Sequence, residues 1–258
     1  MSLKEYEFYN KIKDWDFSKI NYEEEILTEW DLYEILKSHT NKESKILDLG
    51  TGGGEKVLKY FPECFEIIAT DFSEEMIKTA KINLEKSDRK NIQFRVMDNL
   101  NMDVEDNCFD VVVARHTCID AKGIYNVLKP GGYLLVRGVD KEDSIELKDY
   151  FGKGQAYFDP VSISKIDYDN IVKAGFKDVS LTLIDGVDYY KTKEDLLALL
   201  LKTPILDDFS EIDDNRFIEK ELINLEILDK YIENNTCEKG IILKRKYYGI
   251  VARKYLNY

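Results

Sequence analysis

The segment Ile46-Leu47-Asp48-Leu49-Gly50-Thr51-Gly52-Gly53-Gly54 sets four glycines in five residues at the end of an apolar run. Glycine has no Cβ and tolerates positive φ, so such a turn lets backbone lie against a ligand with its amides pointing inward. A merely tight turn does not call for so many. The dinucleotide pattern GxGxxG fails here, because counting from Gly50 and Gly52 its third glycine falls on the negatively charged Glu55. A Walker loop is excluded by the missing GK[ST] ending. The spacing Gly50-x-Gly52-x-Gly54 behind Asp48 instead puts a carboxylate near the turn, which suits a ligand with a positive end.

Two further carboxylates follow. Asp71 ends the run Ile68-Ala69-Thr70-Asp71, about twenty residues beyond the loop, where a ribose diol would lie. A carboxylate accepting both hydroxyls makes charge-assisted bonds of roughly 1.5–3 kcal/mol each. Phe72 is placed to lie against a purine, and Ser73 is the better helix cap of the two polar neighbours. Asp98 ends Phe94-Arg95-Val96-Met97-Asp98-Asn99 and is placed to accept from an adenine amino group, although Asp also ends strands for turn reasons. Three successive strands delivering Asp48 with Gly50, then Asp71, then Asp98 point to one crevice.

Short β-rich runs alternating with helical patterns must position these residues. The runs are 45–49, 66–70, 92–97, 109–114 and 133–137, several of them almost wholly apolar, as strands buried on both faces should be. The fold class is α/β, a Rossmann-like doubly wound and mostly parallel sheet. Ser73 caps a helix carrying Met76, Ala80 and Leu84 on one face, and a helix over 165–174 is closed by Gly175. Residues 177–185 alternate as an edge strand, and 246–253 form a final strand. Ile26, Trp30, Tyr33 and Leu36 define an amphipathic helix within an N-terminal helical cap over 1–40. An insertion over 191–235 reads as two helices joined at Thr203-Pro204, the second with a stripe of Ile218, Leu222, Leu225, Leu228 and Ile232. The whole is expected as one domain over 1–258.

With 37 Lys and Arg against 50 Asp and Glu, the net charge of -13 disfavours a phosphate backbone as partner. The basic residues Lys244-Arg245-Lys246 and Arg253-Lys254 flank an apparent strand and are expected as solvated strand ends. Cys64, Cys108, Cys118 and Cys237 are scattered without metal-ligand spacing, so no metal is expected and the thiols are expected to stay reduced. No apolar run nears the roughly 18 residues that span a bilayer, and the charged start Met1-Ser2-Leu3-Lys4-Glu5 has no secretory core, so a cytoplasmic location is expected.

Over residues 45–137 the chain resembles the class I methyltransferases that use S-adenosylmethionine (SAM), especially the small-molecule branch that includes quinone-pathway methylases. Beyond the loop and the carboxylates, the resemblance rests on Asn107-Cys108-Phe109-Asp110-Val111-Val112 and Leu128-Lys129-Pro130-Gly131-Gly132-Tyr133-Leu134. It implies seven strands with the last antiparallel. It also implies that Gly50, Thr51 and Gly52 contact the methionine part of SAM, Asp71 the ribose, and Asp98 with Asn99 the adenine. Asp48, Phe72 and Met76 complete the cofactor set, and Arg115 lines the boundary between cofactor and acceptor. After the fourth strand stands Ala114-Arg115-His116-Thr117-Cys118 rather than an NPPY-like motif, which speaks against the adenine and glutamine N-methylase subtype.

Methyl transfer from a sulfonium is an in-line displacement that positioning can accelerate without a dedicated acid or base. If a base is needed, His116 is the candidate, with packing as the competing role. The acceptor is expected to be a small molecule, chosen by the N-terminal and 191–235 segments; the aromatic pool is Trp15, Trp30 and Tyr33 within the first, with Tyr157, Tyr189 and Tyr190 outside both. An RNA or protein methyltransferase, a SAM-binding protein without transferase activity, and a nicotinamide enzyme stay open as alternatives.

Overall fold

The computed structural model describes residues 19–207 and 223–255. In chain order its elements begin with β1 (Tyr22–Ile26), α1 (Leu32–Ser38), β2 (Lys45–Leu49), α2 (Glu55–Tyr60), β3 (Glu66–Asp71), α3 (Glu74–Glu85), β4 (Ile92–Val96) and β5 (Phe109–Arg115). There follow α4 (Ala121–Val127), β6 (Leu128–Val139), α5 (Ile145–Phe151), α6 (Ile163–Ala174), β7 (Lys177–Tyr190), α7 (Lys193–Lys202), α8 (Leu225–Asn234), β8 (Thr236–Cys237) and β9 (Gly240–Arg253). They divide into two compact units. The larger holds Trp30–Val139, Ile163–Leu183 and the chain from Tyr248 on; the smaller holds the chain up to Glu29, Asp140–Ser162 and Ile184–Tyr247.

In the larger unit the strand order is β7-β9-β6-β5-β2-β3-β4. β2, β3, β4, β5 and β6 pair in parallel, with Asp48 opposite Ala69 on one side and Val113 on the other. β9 runs antiparallel to β6, since Gly131 and Gly132 exchange backbone bonds with Lys254 while Gly138 lies on Tyr248. These seven strands are those the resemblance implies; in the smaller unit β1 pairs with the end of β7 and β8 with the start of β9. The order reverses between β2 and β5, and the crevice outside the carboxyl ends of such a reversal is where doubly wound sheets take their ligands.

Alternation along β2 sorts its side chains to two cores. Leu47 and Leu49 join Val112, Leu134, Ile124 and Ile171 on one face. Ile46 joins Val111, Val113, Leu135, Leu36, Val57 and Ile77 on the other, so Asp48 faces the side covered by α1, α2 and α3. Ser73 caps α3 by accepting the Met76 N–H, and Gly175 follows α6 with φ +112°, both as the sequence predicts.

Ile26 departs from expectation. It ends strand β1, which pairs antiparallel with β7 from Tyr22 opposite Tyr190 to Ile26 opposite Gly186. Helix α1 starts only after Asp31, whose carboxylate accepts the N–H groups of Tyr33 and Glu34 at 2.7 and 2.9 Å. The run Tyr22-Glu23-Glu24-Glu25-Ile26 offers no apolar helical face, and pairing with β7 satisfies its backbone instead. Helix α7 ends at the predicted Thr203-Pro204, but α8 starts only at Leu225; Leu225 of the expected stripe is exposed, and Ile218 and Leu222 lie outside the described residues.

The basic cluster is also not what it was expected to be. Arg245 is half-buried, its side chain 11% exposed, and forks between Asp143, at 2.9 and 3.1 Å, and Asp188, at 2.8 Å. Lys254 is 7% exposed, and its ammonium donates to the carbonyls of Tyr125 and Leu128 at 2.7 Å each. Two of the five cations are therefore not solvated strand ends, because each found acceptors that no local pattern announces. No described helix is long and apolar enough to cross a membrane.

Candidate functional site

The glycine turn leaves β2 and is stitched to β3. Gly50 and Thr51 donate their N–H groups to the Thr70 carbonyl at 2.9 and 2.8 Å, and the Thr70 hydroxyl donates to the Asp48 carbonyl at 3.1 Å. Gly50, Gly52 and Gly54 all take positive φ, at +74°, +58° and +80°, which explains the glycine at each. They differ in surroundings. A Cβ at Gly50 would lie 2.7 Å from Thr117 Cβ, and one at Gly54 would strike the Phe94 ring at 2.6 Å. At Gly52 a Cβ would meet nothing within 4 Å, so the turn is open there.

Asp71 is joined to that open point. One of its carboxylate oxygens accepts the Gly52 N–H at 2.9 Å and the other accepts the Ser73 N–H at 3.0 Å. Burial raises its pKa, opposed by these backbone donors and that of Phe72. Asp48 is 4% exposed and stands at the head of a narrow cavity shared with Tyr33, Gly50, Thr51, Lys56 and Arg115. Burial pushes the Asp48 carboxyl up to about 7, while the Thr51 hydroxyl and the Arg115 guanidinium pull it down and Asp71 adds to the rise. Burial likewise raises the Tyr33 phenol. Thr51 Oγ1 is buried beside the Asp48 carboxyl and makes no hydrogen bond of full geometry.

The structure thus brings Asp48, Gly50, Thr51, Gly52, Asp71 and Arg115 together. Met76 is buried in the first turn of α3, and Phe72 is half-buried just before it. Asn99 reaches the turn indirectly, since its Nδ2 donates to Thr117 Oγ1 at 2.8 Å and Thr117 abuts Gly50. Asp98 is exposed, and its carboxylate accepts the Leu100 N–H at 2.9 Å, the turn role that a strand-ending Asp often has. His116 is exposed at φ +54° and does not line the cavity; its Nδ1 stands 3.4 Å from an Arg115 nitrogen. Sequence reasoning missed Lys56 and Thr117. Neither belongs to a spacing pattern, and both reach the site only because α2 and the loop after β5 pack beside the turn.

The chain is similar to known proteins in sequence and in fold. The family profile described as Methyltransferase domain matches residues 40–175. The uncharacterised methyltransferase YcgJ of Bacillus subtilis is 26% identical over 119 residues, 43% of this chain and 47% of that one. Its crystal structure superposes with a TM-score of 0.53 at 17% identity, covering 88% of this chain and 98% of that chain. The demethylmenaquinone methyltransferase of Lactococcus lactis is 28% identical over 142 residues, 49% of this chain and 54% of that one. Phosphoethanolamine N-methyltransferase 2 of Haemonchus contortus, solved with phosphomonomethylethanolamine and S-adenosylhomocysteine, has a TM-score of 0.52 at 21% identity over 87% of this chain and 52% of that chain. The chain spans about half the length of the curated relatives it matches. With the profile covering more than half of its residues and the glycine turn, switch point and paired carboxylates in place, the chain belongs to the class I SAM-dependent methyltransferase family.

Proposed function

We propose that this protein binds SAM in the crevice at the carboxyl ends of β2 and β3 and transfers its methyl group to a small-molecule acceptor. The observation that carries the reading is the bond from the Gly52 amide to Asp71 beside a left-handed glycine with open space before it. That arrangement supports a ribose held by Asp71 with the chain of the ligand running past Gly52. The residues present also fit the other end of SAM. Asp48 offers a buried carboxyl to the amino group, and the buried Thr51 hydroxyl with Arg115 offers donors to the carboxylate. When bound, SAM supplies an electrophilic methyl on a sulfonium. The chain's contribution is to orient it and to exclude water, which is where most of the acceleration of an in-line displacement can arise.

The small-molecule acceptor is supported by the net charge of -13, by the pairing of Arg245 with Asp143 and Asp188, and by the burial of Lys254, which together withdraw two cations from the basic cluster. Residues 1–40 and 191–235, which no cofactor motif claims, are assigned the choice of acceptor. Arg115 is assigned to the boundary with the acceptor, and His116 is left as a base only for acceptors that need deprotonation. Titration calorimetry with SAM and S-adenosylhomocysteine (SAH) tests the core of this reading. Micromolar binding is expected, followed by label transfer from SAM to a member of a small-molecule panel; no heat from folded protein with either compound refutes it.

A further inference from the structure

The loops after β4 and β5 meet where the sheet keeps their strands apart. β3 and β2 lie between β4 and β5, so the strand ends are separated by three strand spacings, about 14 Å. Yet Asn99, three residues past β4, donates to Thr117, two residues past β5, at 2.8 Å. Thr117 in turn lies so close to Gly50 that no Cβ could stand there. The two loops therefore lean over the carboxyl ends of β3 and β2 and close on each other above the glycine turn.

The cavity respects this closure. Its lining runs from Gly50 and Thr51 toward Tyr33, Lys56 and Arg115, and includes none of Asp71, Phe72, Asp98 or Asn99. Neither Asn99 nor Thr117 lines it, so their bond closes beside this cavity rather than across it.

We propose that the Asn99–Thr117 pair is a clasp over the nucleoside half of the crevice, and that Thr117 thereby sets the rate at which the cofactor is admitted. The inference rests on the SAM reading above. A neutral side-chain hydrogen bond has a small net worth, so the clasp opens readily, but the binding-competent fraction is reduced and the observed association falls with it. Asn99 Oδ1 is already buried without a partner, so parting the clasp gives up one bond only. A ligand amino group donating to that oxygen would hold the clasp open.

Rapid-mixing kinetics with SAH as the probe test the clasp on the full chain. Thr117→Val keeps the side-chain volume and removes the hydroxyl. It is expected to raise the association rate constant roughly three- to tenfold, with dissociation within about twofold of the parent, so that Kd tightens by nearly the same factor. Thr117→Ser keeps the hydroxyl and is expected to associate at the parent rate. A purely structural role for Thr117 would lower the melting temperature of the valine variant without accelerating association. Asn99→Ala cuts the same bond from the other side and is expected to accelerate association likewise, with faster dissociation because the Oδ1 offered to the ligand is lost with it; its association rate keeps the test open should the valine variant fail to fold. Association by either folded variant at or below the parent rate overturns the clasp and leaves the SAM reading intact. Absence of SAH binding by the parent protein overturns the SAM reading itself.

Discussion

Replacing Gly52 by alanine separates the stability of the glycine turn from its use. Gly52 has φ +58°, and a left-handed conformation costs an L-residue about 1–2 kcal/mol. Stiffening the unfolded chain returns about 0.4–1 kcal/mol, so the net loss is on the order of 1 kcal/mol. No packing term adds to this, because a Cβ at this position meets no atom within 4 Å, and the amide that Asp71 accepts is retained. For a chain of this size the melting temperature should fall by about 2–4 °C. The new methyl group nevertheless occupies the space through which the cofactor must pass, and forcing extra volume into a fitted contact costs about 1–3 kcal/mol. SAH affinity is therefore expected to drop about 5- to 150-fold, measured by calorimetry on material whose melting curve is recorded in parallel. A well-folded Gly52→Ala protein that binds SAH as tightly as the parent would show that the ligand does not approach the turn at this point. The neighbouring Gly50→Ala offers the contrast, since its Cβ would clash with Thr117 and should cost stability as well as binding.

Other expectations concern charge. Burial holds the Asp48 carboxyl near 7, above the 3.8 of an unperturbed aspartate, so the folded state binds this proton more tightly than the unfolded state does. Its contribution is fully present below the unfolded pKa and is lost as pH rises through the folded one. Asp48→Asn carries no such proton, so it should gain stability relative to the parent between about pH 5 and 8, by something on the order of 2–4 kcal/mol, and level off above. Urea unfolding across that range measures the gain, and a difference that does not change with pH would refute the assignment. Arg245→Met should destabilise by about 3–5 kcal/mol in the same assay, because it strands two carboxylates that are 1% and 2% exposed; a loss below about 1 kcal/mol would mean that the pair is not held as described.

Much of the fold was legible because its signals are local. Apolar runs marked β2 through β6 to within a few residues, Ser73 and Gly175 bounded their helices, and the chain around the turn carried its own reason for four glycines. The segment around Ile26 was misread because a strand paired to β7 needs no apolar face of its own, so nothing in its spacing distinguishes it. Asp98 shows the converse, a residue at the right sheet edge whose carboxylate is turned to its own loop.

By itself, the sequence determined which residues end the central strands and which of them are acidic, because strand period and turn chemistry act over a few residues. Tertiary structure decided which of those ends meet. The protonation of Asp48 depends on how deeply three helices bury it, the placement of Arg245 and Lys254 on acceptors scores of residues away, and the contact of Asn99 with Thr117 on two loops leaning across strands that separate them. Burial and long-range hydrogen bonding depend on the whole packed chain, and no window of the sequence contains them.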